Sequence, residues 1–202
     1  EWTDAGIEGA WRYVNRLWRL ATEPPAPLPP PGTPIATPLP PALDSLRRAV
    51  HRMIAAVTDD LEKFRFNRAV AHIRELTNAI EDVEANAQAG PVLREAIEAA
   101  VRLLGPTMPH LGEELWQVLG HAALLADAPW PEADPELARE ERVTLAVQVN
   151  GKLRGTVDLP RDAGDGAAKD AALSLPAVQR ALDGKAPRKT IVVPNRIVNV
   201  VA

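Results

Sequence analysis

Lys152 and Arg154 stand two positions apart, directly after Asn150-Gly151, in the stretch VQVNGKLRG that runs from 147 to 155. An ammonium and a guanidinium so placed on an extended strand share one side of it. Their ordinary chemistry is attraction to anions, above all phosphates and carboxylates. Further cations, Arg188, Lys189 and Arg196, recur in the same third of the sequence. A second set, Arg12, Arg16 and Arg19, lies near its start at spacings of four and three, which puts the three on one stripe of a helix. These eight residues are the candidate anion-binding set.

Catalytic chemistry is harder to find. The four histidines, His51, His72, His110 and His121, make no HxxxH or HExxH pair. His110 follows Pro109 at the head of a helical stretch, the place of a structural or capping histidine. Glu113-Glu114 falls in the first turn of the same stretch, where carboxylates favour the helix dipole. There is no GxxxxGK[ST] loop and no strand-linked GxGxxG. The residues point to binding and positioning; they supply no catalytic, cofactor or metal site.

What must position the cations is two kinds of structure. The first 142 residues are helical in pattern. Ile7, Trp11, Val14 and Trp18 recur at helical spacing, widened by Ala10 and Leu17 into one apolar face. All five tryptophans, Trp2, Trp11, Trp18, Trp116 and Trp130, read as core or rim packing. From Glu23 to Pro41 ten of the twenty prolines interrupt the pattern, and a polyproline-like or disordered connection is expected, dispensable for folding. A second helix follows from about Ala42 to Lys63, with Leu43, Leu46, Val50, Met53, Val57 and Leu61 inward. A third opens near Asn67 as N-cap, carrying Val70, Ile73, Leu76, Ile80 and Val83 inward. A fourth brings Leu93, Ile97, Val101 and Leu104, and a short one runs from about His110 to Leu119. Short later connections suggest an antiparallel bundle.

After an acidic connector the period changes to two. Val143, Leu145, Val147 and Val149 alternate with polar or small residues, and a second strand covers Leu153 to Leu159. Two weak helices, Asp162 to Leu173 and Pro176 to Leu182, precede strands at Lys189 to Val193 and Arg196 to Val201. The order is ββααββ, a small α+β domain over 142–202 behind a helical domain over 1–141.

For the hairpin, a two-residue turn at Asn150-Gly151 would set Val147 against Arg154 and mix polar with apolar faces. A three-residue loop, Val149-Asn150-Gly151, instead sets Val143–Val157, Leu145–Gly155 and Val147–Leu153 on an inner face. Ala146–Arg154 and Gln148–Lys152 then lie on the outer face. The second register is the one expected, with both cations turned away from the apolar layer.

Charge divides along the same line. Residues 1–142 hold 14 Lys and Arg against 22 Asp and Glu, a net −8, whereas residues 143–202 hold 9 against 5, a net +4. The basic module has the sign for an anionic partner. No apolar run approaches the roughly 20 residues that span a bilayer. No signal-peptide pattern is present, and there is no cysteine, so a cytoplasmic protein is expected. The sequence begins inside a helical pattern without an initiator Met and reads as a fragment.

Several stretches taken together, EWTDAGIEGAWRYVNRLWRL, RFNRAVAHIRELTNAI, LLGPTMPHLGEELWQVLG with DAPWPEAD, and VQVNGKLRG with APRKTIVVPNRIVNVVA, resemble in that order the C-terminal part of bacterial leucyl-tRNA synthetases. The PHLGEELW element is shared with isoleucyl and valyl enzymes; VQVNGKLRG and VVPNRIVNVV favour the leucyl family. The Pro-rich stretch is the main departure.

The resemblance implies a helical domain of the class I synthetase anticodon-binding type, followed by a flexibly tethered domain that holds the tRNA elbow. It implies tRNA(Leu) as partner, contacted by Lys152, Arg154, Arg188, Lys189 and Arg196, and by Arg12, Arg16 and Arg19 of the bundle. It further implies that ATP, with Mg, binds in a catalytic domain that this sequence lacks, as it lacks the editing domain. A free-standing RNA-binding or scaffold protein, or the tail of an isoleucyl or valyl enzyme, remain as alternatives.

Overall fold

The computed structural model describes residues 3–84, 86–139 and 142–201, with two compact units, Glu1–Arg139 and Glu140–Ala202. In the first, α1 (Asp4–Thr22), α2 (Pro41–Glu62), α3 (Phe66–Glu81), α4 (Ala89–Leu104) and α5 (Pro109–Val118) are followed by a 3-10 turn at Leu125–Asp127 and the single turn α6 (Pro135–Ala138). Thr3 opens α1 by accepting a hydrogen bond from Gly6 N–H at 3.2 Å. Pro41 starts α2 at the position where its missing N–H costs nothing. α2 packs on α3, α4 and α6, and α4 on α3 and α5.

The core follows the apolar stripes. Leu43, Leu46, Val50, Ile54 and Val57 of α2 meet Ile73, Leu76 and Ile80 of α3 and Leu93, Ile97, Val101 and Leu104 of α4. Met53 and Leu61 lie at its margin rather than inside. Asn67 is not an N-cap: α3 begins one residue earlier, with Arg65 in the capping place and no side-chain cap bond.

Other expectations fail in this unit as well. The buried face of α1 is Tyr13, Leu17, Leu20 and Ala21, while Ile7, Trp11 and Trp18 are exposed. The helix carries two apolar stripes, and the one with Leu17 and Leu20 meets the bundle. Trp116 is buried, stacked on His121 with ring centroids 3.5 Å apart, and Trp130 sits at the rim, donating from Nε1 to Thr58 Oγ1 at 2.8 Å. Trp2 lies outside the described residues.

The Pro-rich segment is not a loose connection. Ala26 is buried, and Leu28, Ile35 and Leu39 pack against the bundle core. Its backbone lies so close to α4 that a Cβ on Gly90 would stand 2.5 Å from Pro27 O. Ten prolines reduce the freedom of the unfolded segment, so few apolar contacts suffice to hold it.

The second unit is a four-stranded sheet with two helices. β1 (Arg142–Val149) and β2 (Lys152–Pro160) are followed by α7 (Asp165–Leu173), α8 (Pro176–Leu182), β3 (Lys189–Val193) and β4 (Ile197–Val201). The strand order is β2-β1-β4-β3, with β1 parallel to β4 and the other neighbours antiparallel. Val143, Leu145, Val147, Val149, Val198 and Val200 bury one face against Ala168, Ala172, Val178 and Leu182 of the helices.

Candidate nucleic-acid interface

The hairpin that carries the first two cations departs from the expected register. Asn150 and Gly151 both have positive φ, 49° and 79°, and Val149 pairs directly with Lys152, which makes a two-residue turn. Farther along, Val147 pairs with Gly155 and Leu145 with Val157. The turn and the buried face demand registers that differ by one residue, and a bulge between them absorbs the difference. Gln148 pairs with Leu153, so Arg154 is the additional residue. Val147 faces neither Arg154, as a regular two-residue hairpin would have it, nor Leu153, as expected.

The bulge suspends the alternation of the strand. Lys152, Leu153 and Arg154 are all exposed, Leu153 at 62%. Lys152 takes the register position of the buried Val149 but lies at the strand's end beside the turn. It is not on the outer face as the regular register predicted. Asn199 of β4 accepts a hydrogen bond from Gly151 N–H through Oδ1 at 3.3 Å, and Asn150 N–H donates to Val200 O at 2.9 Å. The turn is therefore fastened to the neighbouring strand.

β4 runs parallel to β1, so its last residues lie beside that turn. Lys189 pairs with Val201, and Arg188 N–H donates to Val201 O at 2.9 Å. Lys152, Arg154, Arg188 and Lys189 thus gather at one end of the sheet, on its two outermost strands, about 14 Å apart across three strand spacings. Arg196 does not join them. It precedes Ile197, which pairs with Ala146, and lies at least about 10 Å down the sheet. Between the cations, the outer face carries the row Leu153, Gln148, Asn199, Ile191, with Leu153 and Ile191 exposed at its ends. Sequence reading passed over that row, because its apolar ends become visible only once the bulge is placed.

The five candidate cations of this unit, Lys152, Arg154, Arg188, Lys189 and Arg196, are exposed, and none of the five has a carboxylate within ion-pair distance among the described residues. The helical unit differs. Arg16 donates to Glu81 through Nε and Nη2, Arg47 binds Glu95, and Arg94 binds Glu98. Arg12 lies 3.7 Å from Glu8 on the exposed face, and Arg19 is exposed beside Trp18. Of the expected arginine stripe, Arg16 is partly exposed and ties helix to helix, while Arg12 and Arg19 are exposed.

Several other ionisable groups hold the helical unit together. His51 Nδ1 accepts from Asp134 N–H at 3.0 Å, which leaves the ring proton on Nε2, 3.5 Å from Glu95 Oε1. His121 Nε2 and Arg94 Nη1 converge on Glu98 Oε1 at 2.9 and 2.8 Å. Glu113 does not merely face the helix dipole: its two oxygens accept from Leu125 and Ala126 N–H at 2.7 and 2.9 Å and hold the 3-10 turn. His110 is exposed in the first turn of α5 and makes no cap bond. Among the described residues no three His, Asp or Glu side chains gather to hold a metal ion, and no helix is long and apolar enough to cross a membrane.

Comparison with known proteins follows this division. Residues 45–169 match the family described as the anticodon-binding domain of tRNA ligase, and the match runs past the helical unit through β1 and β2 into α7. The whole chain is 56% identical to a leucine–tRNA ligase of Rhodospirillum rubrum and 55% identical to that of Paramagnetospirillum magneticum, spanning 23% of each. It also superposes along its full length, at a TM-score of 0.79 and 31% identity, on 26% of the agnB2 LeuRS chain of Agrobacterium radiobacter K84, solved as a ternary complex with tRNA and LeuAMS. The chain belongs to the anticodon-binding-domain family of tRNA ligases, and its relatives there are leucine–tRNA ligases.

Proposed function

We propose that this chain is the tRNA-binding C-terminal part of a leucine–tRNA ligase. It holds tRNA(Leu) while leucine is activated with ATP and Mg, and joined to the tRNA, elsewhere in the parent protein, in the cytoplasm. In this reading residues 1–141 form the helical bundle of the class I synthetase type, which supports the tRNA stem. Residues 142–202, of ββααββ order, grip the elbow. The observation that carries it is the cluster of Lys152, Arg154, Arg188 and Lys189 at one end of the sheet, exposed and without carboxylate partners among the described residues, in the module of net +4. Cations left unpaired are free to replace the counterions of a phosphate backbone. Arg12, Arg19 and Arg196 contribute from separate places, and Arg16 contributes through the fold of α1. The isoleucyl, valyl and free-standing alternatives are less favoured, since the curated relatives at 46–56% identity are leucine–tRNA ligases.

The test is a filter-binding salt titration of the chain with tRNA(Leu), wild type against Lys152→Ala with Arg154→Ala. Backbone contacts hold RNA without reading bases. The expected result is weaker binding and a log-affinity against log-salt slope shallower by about 0.7 to 0.9 per lost contact. Unchanged affinity and slope in a folded double variant would place the RNA elsewhere.

A further inference from the structure

Of the seven asparagines only Asn150 is followed by glycine; the others precede Arg, Ala or Val. Asparagine is a thermolabile residue. The backbone nitrogen that follows it can close a five-membered ring on its side-chain amide, and a glycine there puts no side chain in the path of closure. Asn150 and Gly151 are both exposed, and a Cβ built on Gly151 would meet nothing within 4 Å. The turn is open to water on that side.

The reacting nitrogen is loosely held. Asn150 N–H is fixed to Val200 O at 2.9 Å, but Gly151 N–H is held by Asn199 Oδ1 at 3.3 Å, longer than an ordinary bond of about 2.9 Å. An exposed turn opens at lower free energy than the ladder behind it. Asn199 is therefore the guard of this nitrogen, supplied from β4.

We propose that Asn150 is a site of self-modification, and that its conversion weakens the hold of the neighbouring cations on phosphate. Gly151 N loses its proton to the solvent and attacks Cγ of Asn150. An N–C bond forms, the Cγ–Nδ2 bond breaks, and Nδ2 takes up a proton and leaves as ammonia. Water then opens either carbonyl of the cyclic imide, giving aspartate or the isomer whose main chain runs through Cγ. Nothing is oxidised or reduced. Either product sets a carboxylate two residues from Lys152 and takes residues 143–202 from net +4 to +3. The isomer also adds a methylene to the main chain of a turn whose two residues match the twist of the strands. A carboxylate there competes with phosphate for Lys152 and Arg154. The chemistry depends on the turn alone; its effect on binding rests on the tRNA-binding reading above.

The test ages the full 202-residue chain at mildly acidic and mildly alkaline pH and digests it with trypsin, which releases Val143–Lys152. That peptide is expected to gain one mass unit, faster at alkaline pH, where Gly151 N loses its proton more readily. Asn150→Gly removes the amide and suits the positive φ of 49°, and its peptide should keep its mass. Asn199→Ala should speed the gain in an otherwise wild-type turn. Aged protein, and Asn150→Asp as its stand-in, should bind tRNA(Leu) about two- to tenfold more weakly at low salt, the scale of one charge acting across a few ångströms of water. If the peptide in the folded chain keeps its mass until a free synthetic peptide of the same sequence is fully converted, the fold shields Asn150 and the proposal is overturned. A mass gain with unchanged tRNA affinity overturns the effect on binding. If wild type binds no tRNA, the tRNA-binding reading falls, and the mass gain alone decides whether Asn150 is modified.

Discussion

Arg16 and Glu81 meet across α1 and the end of α3 in a two-pronged bond, Nε to Oε1 at 2.6 Å and Nη2 to Oε2 at 2.5 Å. These bonds raise the guanidinium further above its ordinary value. Both side chains are partly exposed, so the pair is worth no more than about 1 kcal/mol. Arg16→Ala is expected to lower stability by about 0.5–1 kcal/mol in chemical denaturation, and Glu81→Ala by a similar amount. Combined, they should cost less than the sum. Arg16→Ala should leave the salt slope of tRNA binding unchanged. A slope change equal to that of Lys152→Ala would return Arg16 to the RNA-binding set.

The packed proline segment reverses the expectation that it is dispensable. Replacing residues 24–40 by a flexible linker of equal reach should remove Ala26, Leu28, Ile35 and Leu39 from the bundle and lower stability by several kcal/mol, at about 0.8 kcal/mol per buried methylene. A sharper probe is Gly90→Ala. Its Cβ needs the space held by Pro27 O, a backbone atom that cannot rotate away, and the cost should be about 1–3 kcal/mol. An alanine variant with the wild-type melting temperature would show that the segment lifts freely.

Glu95 couples stability to acid. Burial alone would raise its carboxyl pKa, but the Nε2–H of His51 nearby and the hydrogen bonds and charge of Arg47 outweigh it, and the net direction is downward. A carboxyl lower in the folded state than in the unfolded chain stabilises the fold above the unfolded value, about 4.3. That stabilisation is lost as pH falls through the folded value. Glu95→Gln should therefore cost about 1–3 kcal/mol at pH 7. The gap to wild type should narrow in urea titrations at pH 3. A gap independent of pH would mean that shape, not charge, is what Glu95 supplies.

Much of the helical unit was legible because its stripes are unambiguous. Leu93, Ile97, Val101 and Leu104 mark α4 as a core helix, although it lies so centrally that Val92, Ala96, Ala99, Ala100 and Leu103 are buried too. α1 was misread because it has two stripes. Periodicity finds both Ile7–Trp11–Trp18 and Tyr13–Leu17–Leu20, and only the neighbouring helices decide between them. The hairpin was misread for a different reason. Turn chemistry and face alternation were each sound, but a single uniform register was assumed, and the conflict between them was itself the sign of a bulge at Arg154. Of the site, the residue types were visible and the grouping was not. That Arg188 and Lys189 reach the Lys152 turn, and Arg196 does not, follows from the parallel β1–β4 ladder, a contact between distant parts of the sequence.

That ladder also governs when the small unit comes into being on the ribosome. Ala146 pairs with Ile197 and Val149 with Val200, so β1 lacks its central neighbour until about fifty more residues have been made. Until then the nascent chain holds a lone β1–β2 ribbon, too small to be stable by itself. Closing so long a loop is slow compared with local pairing. The basic sheet end depends on the same closure, since its β3 half is attached through β4. A ribosome-bound intermediate therefore carries the Lys152 and Arg154 half of the cation cluster before β3 and β4 can bring Arg188 and Lys189 to the same end of the sheet.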